Sequence, residues 1–214
     1  MGSDTMLKLY HCADARSFRA LWMLEELEVA YDLRLLPFPP RLREPEFLAL
    51  NPLGTIPLLL DGETQMTESA AICEYLASTQ HDGRFAVAPG ETGYGAYLNS
   101  LHFGEATLTF PQTLVLRYGR MEAEERRLPQ AVEDYTRWYH ARLVGLAAVL
   151  ANADYVAAGR FTAADISVGY ALLLAERIGL SREHPPVVKA YWRRLQARPA
   201  FQRAKAAQKS REAA

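Results

Sequence analysis

The spacing of apolar residues changes near residue 80, and this change limits the chain to a small set of folds. Before it, strand-like and helix-like runs alternate in the order βαβαββα, which predicts an α/β layer with a mixed sheet. After it, the spacing is helical throughout, which predicts an all-α bundle. The predicted strands are 7–12, 31–36, 58–61 and 64–67, and the predicted helices of the first half are 17–28, 45–50 and 68–78.

Between the two halves lies STQHDGRFAVAPGETG, a stretch of turn residues without any period. Such a stretch is typical of a linker. The sequence therefore predicts an α/β domain over 1–79, a linker over 80–92 and an all-helical domain over 93–214.

The helical half contains two long segments and one helix whose start is marked by its residues. The first segment, from residue 93, is expected to kink at Pro111, and the second covers 129–152. Thr162 and Asp165 have the spacing of a capping box, in which each side chain bonds the other residue's backbone. The helix that follows is mostly apolar, which places it at the centre of the bundle.

Composition excludes several classes of protein. Half of the 214 residues are hydrophobic and the net charge is −1, yet no apolar run reaches the ~20 residues needed to span a membrane. The first residues do not have the pattern of a signal peptide. Only Cys12 and Cys73 occur, with no CxxC pair or metal-ligand cluster, so we expect a cytoplasmic protein without a metal. The basic stretch 189–214 is interpreted as a solvated helix and tail, and no nucleic acid or membrane partner is expected.

Two blocks of sequence resemble a known family. NPLGTIPLLLDGE followed by TESAAICEYL resembles the thioredoxin-like amino-terminal domain of cytosolic glutathione transferases. FTAADISVGYALL resembles the folding motif in the central helix of that family's second, all-helical domain. The resemblance covers nearly the whole chain, and YGAYLNSLHFGEATL is similar to a bacterial and fungal branch. It implies the glutathione transferase fold, a cytoplasmic homodimer, glutathione as co-substrate and a role in detoxification.

The resemblance gives Pro57 a function. Proline cannot donate to a sheet ladder, so it belongs at the first residue of a strand or at an edge. In this family the Ile56–Pro57 peptide bond would be cis. The backbone N–H and C=O of Ile56, next to Thr55, would then bind the cysteinyl part of glutathione as an added strand does.

The ends of glutathione need charged partners. Glu68 and Ser69 open a helix, where free N–H groups and the positive end of the helix dipole attract a carboxylate. Ser69 adds a hydroxyl donor and Glu68 can take the ammonium group, which together fit the γ-glutamyl end. For the glycine carboxylate the resemblance implies Arg43, with Arg41 as the alternative.

The catalytic donor is the point at which this sequence departs from the family. The family's usual tyrosine after the first strand is missing, and His11 or Cys12 stands in its place. The donor is therefore expected between the first strand and the first helix, in YHCADARSFRALW at residues 10–22. We expect Ser17 and Arg16 to stabilise the thiolate of glutathione, while Cys12 could donate to the sulfur or form a mixed disulfide with it. The pocket for the second substrate is expected to include His11, Tyr97 and His102.

Three functions follow from these residues. The first is a glutathione transferase that activates the thiol for attack on small hydrophobic electrophiles or peroxides. The second is a glutathione-dependent disulfide oxidoreductase that uses Cys12. The third is a binding or interaction module that keeps the fold without the chemistry.

Overall fold

A computed structural model describes residues 6–209, which divide into two compact units. The first unit contains the described residues up to Ala86 together with those from Ala197 onward. The second unit comprises Val87–Gln196. The boundary near Ala86 lies within the segment predicted as a linker.

The first unit is built on a mixed four-stranded sheet, as the alternation of strands and helices predicted. Its strands are β1 (Leu7–His11), β2 (Tyr31–Leu35), β3 (Leu58–Asp61) and β4 (Thr64–Met66), in the order β2-β1-β3-β4. Strand β1 runs parallel to β2 and antiparallel to β3, and β3 and β4 form an antiparallel hairpin. The fold class predicted from the sequence, a thioredoxin-like layer followed by a helical region, is confirmed.

The first unit has two longer helices, two short helices and one helix that comes from the carboxy-terminal part of the described chain. Helix α1 (Phe18–Leu27) connects the parallel strands, and α4 (Ser69–Thr79) follows the hairpin. Both bury apolar side chains against the sheet, where Leu9, Leu21, Leu59 and Ile72 are fully buried. The segment between β2 and β3 forms α2 (Pro40–Arg43) and α3 (Phe47–Leu50), of which only the second was predicted.

The last described helix, α10 (Pro199–Ala207), also belongs to the first unit. The ring of Phe201 packs edge-on against Phe18 and Trp22 of α1, with centroid distances of 5.5 and 5.0 Å. Arg198 forms a bidentate ion pair with Glu26, at 2.6 and 2.8 Å. The units thus differ from the expected division, in which residues 93–214 formed one domain, because α10 buries its apolar face on α1.

The second unit is helical, as predicted. Its helices are α5 (Tyr94–His102), α6 (Phe110–Leu116), α7 (Pro129–Leu150), α8 (Ala163–Ile178) and α9 (Pro186–Gln196). Thr162 and Asp165 form the predicted capping box at the start of α8, whose residues from Ala163 to Ala175 are all buried. Among residues 6–209, none of the helices combines the length and the apolar character needed to cross a bilayer.

The first long segment of this unit changes geometry earlier than predicted. Residues Phe103–Thr109 are π-helical, and Pro111 lies in the first turn of the α-helix that follows. A proline removes one hydrogen bond and crowds the preceding turn, which explains a widened turn just before it. Gly104 within this segment packs against α8, because a Cβ atom there would lie 2.5 Å from the Ser167 carbonyl carbon.

Candidate functional site

The loop before β3 presents unpaired backbone. The Ile56–Pro57 peptide bond is cis. Pairing with β1 reaches only as far as Leu58, opposite Tyr10, so Ile56 and Pro57 precede the ladder. Within the described residues, no hydrogen bond involves the backbone N–H or C=O of Ile56. The N–H donor and the C=O acceptor of Ile56, beside the exposed Thr55, are therefore available to pair with an extended peptide.

Asn51 and Gly54 fix the shape of this loop. The Asn51 side-chain amide donates to the Thr55 carbonyl at 2.7 Å, and its side-chain oxygen accepts from the Leu53 N–H at 3.2 Å. Gly54 has a φ of +60°, and a Cβ atom there would lie 2.7 Å from the Cβ of Arg41. The loop is therefore seated against α2, which carries the two arginines proposed from the sequence. Arg41 and Arg43 are both exposed.

Helix α4 begins at the predicted polar pair. Glu68 is the N-cap residue and is exposed, while Ser69 is the first helical residue and is 3% exposed. The first N–H groups of an α-helix have no partner within the helix. An anion placed at this end therefore meets both free donors and the positive end of the dipole.

Arg19, which was not singled out from the sequence, contacts the amino-terminal end of α4. Its side chain is fully buried, and one guanidinium nitrogen donates to the Ser69 hydroxyl oxygen at 3.1 Å. This contact orients the Ser69 hydroxyl and places a positive charge near the start of α4. The available signal was the position of Arg19 in a helix of otherwise apolar residues, FRALWML, where a buried charge needs a partner.

The segment between β1 and α1 lies close to Ile56. Cys12 and Ile56 belong to one apolar cluster, against which Ala15 also packs. The segment that carries Arg16 is thereby brought close to the unpaired backbone of Ile56, and Arg16 itself is half-buried.

Two of the predicted catalytic side chains are fully buried. Burial raises the pKa of the Cys12 thiol to about 12, so this thiol is protonated at neutral pH. The Ser17 hydroxyl lies 2.7 Å from Nδ1 of His11 and accepts from the Cys12 N–H at 3.2 Å. These contacts correct the expectation that Cys12 and Ser17 present their side chains to a ligand, because neither has any solvent-exposed surface.

Two of the three predicted pocket residues are buried as well. His11 is fully buried between Ser17 and Gln208, and burial lowers the pKa of its imidazole to about 4. His11 is therefore neutral and does not form a pocket wall. Tyr97 and His102 both lie on α5 in the second unit, where Tyr97 is fully buried and His102 is exposed. The alternating faces of α5 explain the difference, since Tyr97 points into the helical core.

Comparisons with known proteins agree with this geometry. Residues 15–79 match the family model described as glutathione S-transferase, N-terminal domain. Glutathione S-transferase 3 of Zea mays is 34% identical over 180 residues, which cover 77% of this chain and 77% of that protein. Glutathione S-transferase 3 of Schizosaccharomyces pombe is 26% identical over 91% of this chain and 85% of its own length.

A solved structure shares the fold across both units. The structure of a sphingomonad glutathione S-transferase complexed with glutathione superposes with a TM-score of 0.83 and is 25% identical. The match covers 95% of this chain and 99% of that one. Taken with the Zea mays relative, it shows that the chain belongs to the glutathione transferase family.

Proposed function

We propose that this protein binds glutathione in its first unit, ionises the thiol and directs the thiolate onto a small hydrophobic electrophile or a peroxide. The observation that supports this most is the unpaired backbone of Ile56, and the amino-terminal end of α4 in the same unit adds free N–H donors for an anion. One extended tripeptide with a carboxylate and an ammonium group at one end satisfies both features. The sphingomonad relative was solved with glutathione itself.

Binding would use three groups of residues. Ile56, flanked by Thr55 and Pro57, would pair with the cysteinyl backbone. The first-turn amides of α4, with Ser69 and Glu68, would hold the γ-glutamyl carboxylate and ammonium group. Arg43, or Arg41 beside it, would pair with the glycine carboxylate.

Thiolate formation would then fall to Arg16 and to the start of α1. A free thiol has a pKa near 8.5, and lowering it by two units requires about 2.7 kcal/mol of preferential stabilisation of the charged form. A half-buried guanidinium and the amino-terminal end of a ten-residue helix both stabilise a negative sulfur. The buried side chains of Ser17 and Cys12 would support the segment without touching the sulfur.

The chemistry follows from the thiolate. It attacks an electrophilic carbon, forms a carbon–sulfur bond, and either displaces a leaving group or gives a carbanion that takes a proton from water. With a peroxide, the sulfur takes one oxygen and the alcohol leaves after protonation. His102 is the exposed member of the predicted pocket, and we retain it as a contact of the second substrate. Homodimerisation, a cytoplasmic location and a role in detoxification belong to the same proposal.

The disulfide oxidoreductase alternative has less support. That reaction needs a reactive protein thiolate, whereas Cys12 is fully buried and burial raises its pKa to about 12. The remaining alternative is a module that binds glutathione, or a protein partner, without activating a thiol.

Calorimetric titration with glutathione at neutral pH, in two buffers of different ionisation enthalpy, tests the proposal. Release of close to one proton per bound glutathione means that the site forms the thiolate. Arg16→Met should bind glutathione with much less proton release, while Arg43→Met should bind it more weakly with the same proton release. Arg34→Met is the control, since Arg34 is an exposed arginine on β2. Binding without proton release would favour the non-catalytic module, and absence of binding would exclude both enzymatic functions.

A further inference from the structure

The residue that follows α10 reaches back to the segment between β1 and α1. Gln208 is only 4% exposed, and its side-chain amide makes three hydrogen bonds there. Its oxygen accepts from the Asp14 N–H at 3.0 Å and lies 3.1 Å from Nε2 of His11, and its NH₂ group donates to the Asp14 carboxylate at 2.5 Å. From the same helix, the Lys205 ammonium lies 2.6 Å from the same carboxylate oxygen.

These contacts determine the orientation of the amide and the tautomer of His11. The Asp14 N–H can only donate and the Asp14 carboxylate can only accept, so the amide oxygen and nitrogen of Gln208 cannot be exchanged. His11 must therefore donate from Nε2 to the Gln208 oxygen. Its Nδ1 is then an acceptor, and the Ser17 hydroxyl, at 2.7 Å, donates to it. The buried imidazole stays neutral, in agreement with its lowered pKa of about 4.

The result is a chain of hydrogen bonds that runs from α10 through the whole segment. The Ser17 hydroxyl donates to His11 at 2.7 Å, with the Cys12 carbonyl as a more distant second acceptor at 3.4 Å, while the Ser17 oxygen accepts from the Cys12 N–H at 3.2 Å. Between Cys12 and Ser17, Asp14 has a φ of +53°, in the left-handed region that few non-glycine residues adopt. Two hydrogen bonds from Gln208 hold Asp14 in that conformation, and Arg16 follows two residues later.

We propose that Gln208 is a positioning residue, which holds the segment from Cys12 to Ser17 in the conformation that faces Arg16 toward the thiol of bound glutathione. This inference rests on the proposed function. It assigns to α10 a role in activating the thiol that is separate from glutathione binding, because Ile56, Glu68 and Ser69 make none of these contacts.

The test is the Gln208→Met variant, which keeps the volume of the side chain and removes all three hydrogen bonds. The pKa of bound glutathione is measured from the ultraviolet absorbance of its thiolate as a function of pH. Turnover of a chlorinated nitrobenzene gives kcat and the KM for glutathione over the same pH range. Gln202→Met, an exposed glutamine on α10, is the matched control.

We expect Gln208→Met to raise the pKa of bound glutathione by about one unit, which corresponds to a tenfold lower thiolate fraction well below that pKa. For a thiolate pKa that moves from about 6.5 to about 7.5, the value of kcat should fall about threefold at pH 7, approach a tenfold loss at lower pH and recover at alkaline pH, with the KM for glutathione within threefold of wild type. Gln208→Glu sets a carboxylate against that of Asp14 in place of the donor, so it should raise the pKa of bound glutathione at least as far as Gln208→Met does. Gln202→Met should match wild type.

Two results would overturn the inference. An unchanged thiolate pKa in Gln208→Met would show that the segment does not depend on Gln208. A loss of kcat that is equal at every pH would assign a purely structural role to the contact. If Gln208→Met loses helical circular dichroism, Lys205→Met, which removes the ion pair to Asp14 and the contact of the ammonium with the Phe18 ring, is measured in its place and should raise the pKa of bound glutathione by a smaller amount. A wild-type protein that forms no thiolate would remove the proposed function as well, whereas the other outcomes concern Gln208 alone.

Discussion

The Cys12 thiol lies where the first strand ends, yet its surroundings are those of a core residue. It is fully buried among apolar side chains and its sulfur lies 3.8 Å from the Pro37 carbonyl oxygen. Burial raises its pKa to about 12, so it is a weak nucleophile at neutral pH.

We therefore predict that Cys12→Ala keeps glutathione conjugation within threefold of wild type, because in the proposed function the reacting thiolate belongs to glutathione. In the folded protein, Cys12 should also resist an aromatic disulfide reagent, and it should react once the chain is unfolded. Cys73, also fully buried, provides the internal comparison. Loss of disulfide exchange in Cys12→Ala, with conjugation retained, would instead identify Cys12 as a redox group.

His184 in the second unit couples stability to pH. Its Nε2 lies 2.9 Å from the Tyr139 hydroxyl, and its buried Nδ1 has no hydrogen-bond partner among the described residues. Burial, and then the nearby His140 and Lys189, lower the pKa of its imidazole to about 4. The unfolded chain takes up the proton first as pH falls, so the stability that the neutral ring contributes is complete above about pH 6.5 and declines toward pH 4.

His184→Gln should therefore flatten the pH dependence of the unfolding free energy between pH 6.5 and 4 by close to one proton. Denaturant titrations at several pH values measure this slope. His81→Gln, at an exposed position, is the control for loss of a histidine. An identical slope in wild type and His184→Gln would contradict the assignment.

At the scale of the element, α8 depends on its first turn. Asp165 is fully buried and accepts four hydrogen bonds: from the Thr162 N–H and hydroxyl, the Val156 N–H and the Tyr191 hydroxyl. These donors offset the desolvation that raises the pKa of this carboxyl group to about 6. The capping box thus also fastens the preceding loop and α9 to the central helix.

Asp165→Ala leaves at least three buried donors unsatisfied, at about 1–3 kcal/mol each, so we expect a loss of at least about 3 kcal/mol in unfolding free energy. Asp165→Asn keeps one oxygen and should lose less. Thr162→Ser keeps the capping hydroxyl and should stay within about 0.5 kcal/mol of wild type. Chemical denaturation orders the three variants, and equal losses in Asp165→Ala and Thr162→Ser would mean that the network does not stabilise α8.

At the scale of the whole molecule, the first unit is assembled from two distant parts of the chain. Phe201 of α10 is 3% exposed and lies between two aromatic rings of α1. Phe201→Ala should cost about 3–5 kcal/mol in stability. Hydrogen exchange should then speed up in α1 and α10, which belong to the first unit, and remain at wild-type rates in α8 of the second unit.

Phe110→Ala is the matched control, because the Phe110 side chain is 53% exposed. It should leave exchange in α1 unchanged. Faster exchange throughout both units in Phe201→Ala would show instead that the two units unfold together.

The sequence predicted most of what depends on neighbouring residues. Strand and helix periods and the capping box are local patterns, and the strands, the longer helices of the first unit and the capping box are found within about two residues of their predicted positions. Short α2 was missed because PFPPRLREPE has the composition of a loop.

What the sequence did not predict depends on contacts between remote residues. His11 and Gln208 are 197 positions apart, so no spacing indicates that they bond. Ser17 has the residue type and position of a catalytic donor, and only its burial beside His11 shows where its proton goes. The packing of α10 on α1 likewise depends on a contact between the apolar faces of two helices that are far apart in the sequence, which no local pattern indicates.

The division of the first unit between both ends of the described chain has a consequence for protein synthesis. The strands and helices up to Ala86 leave the ribosome first, but the segment that carries Arg16 receives its bonds from Lys205 and Gln208 only after residue 208 has been made. The backbone groups of Ile56 can be in place well before that moment. Under the proposed function, a nascent chain could therefore hold glutathione before Gln208 is present to position Arg16, and the thiolate would form only after α10 has packed on α1.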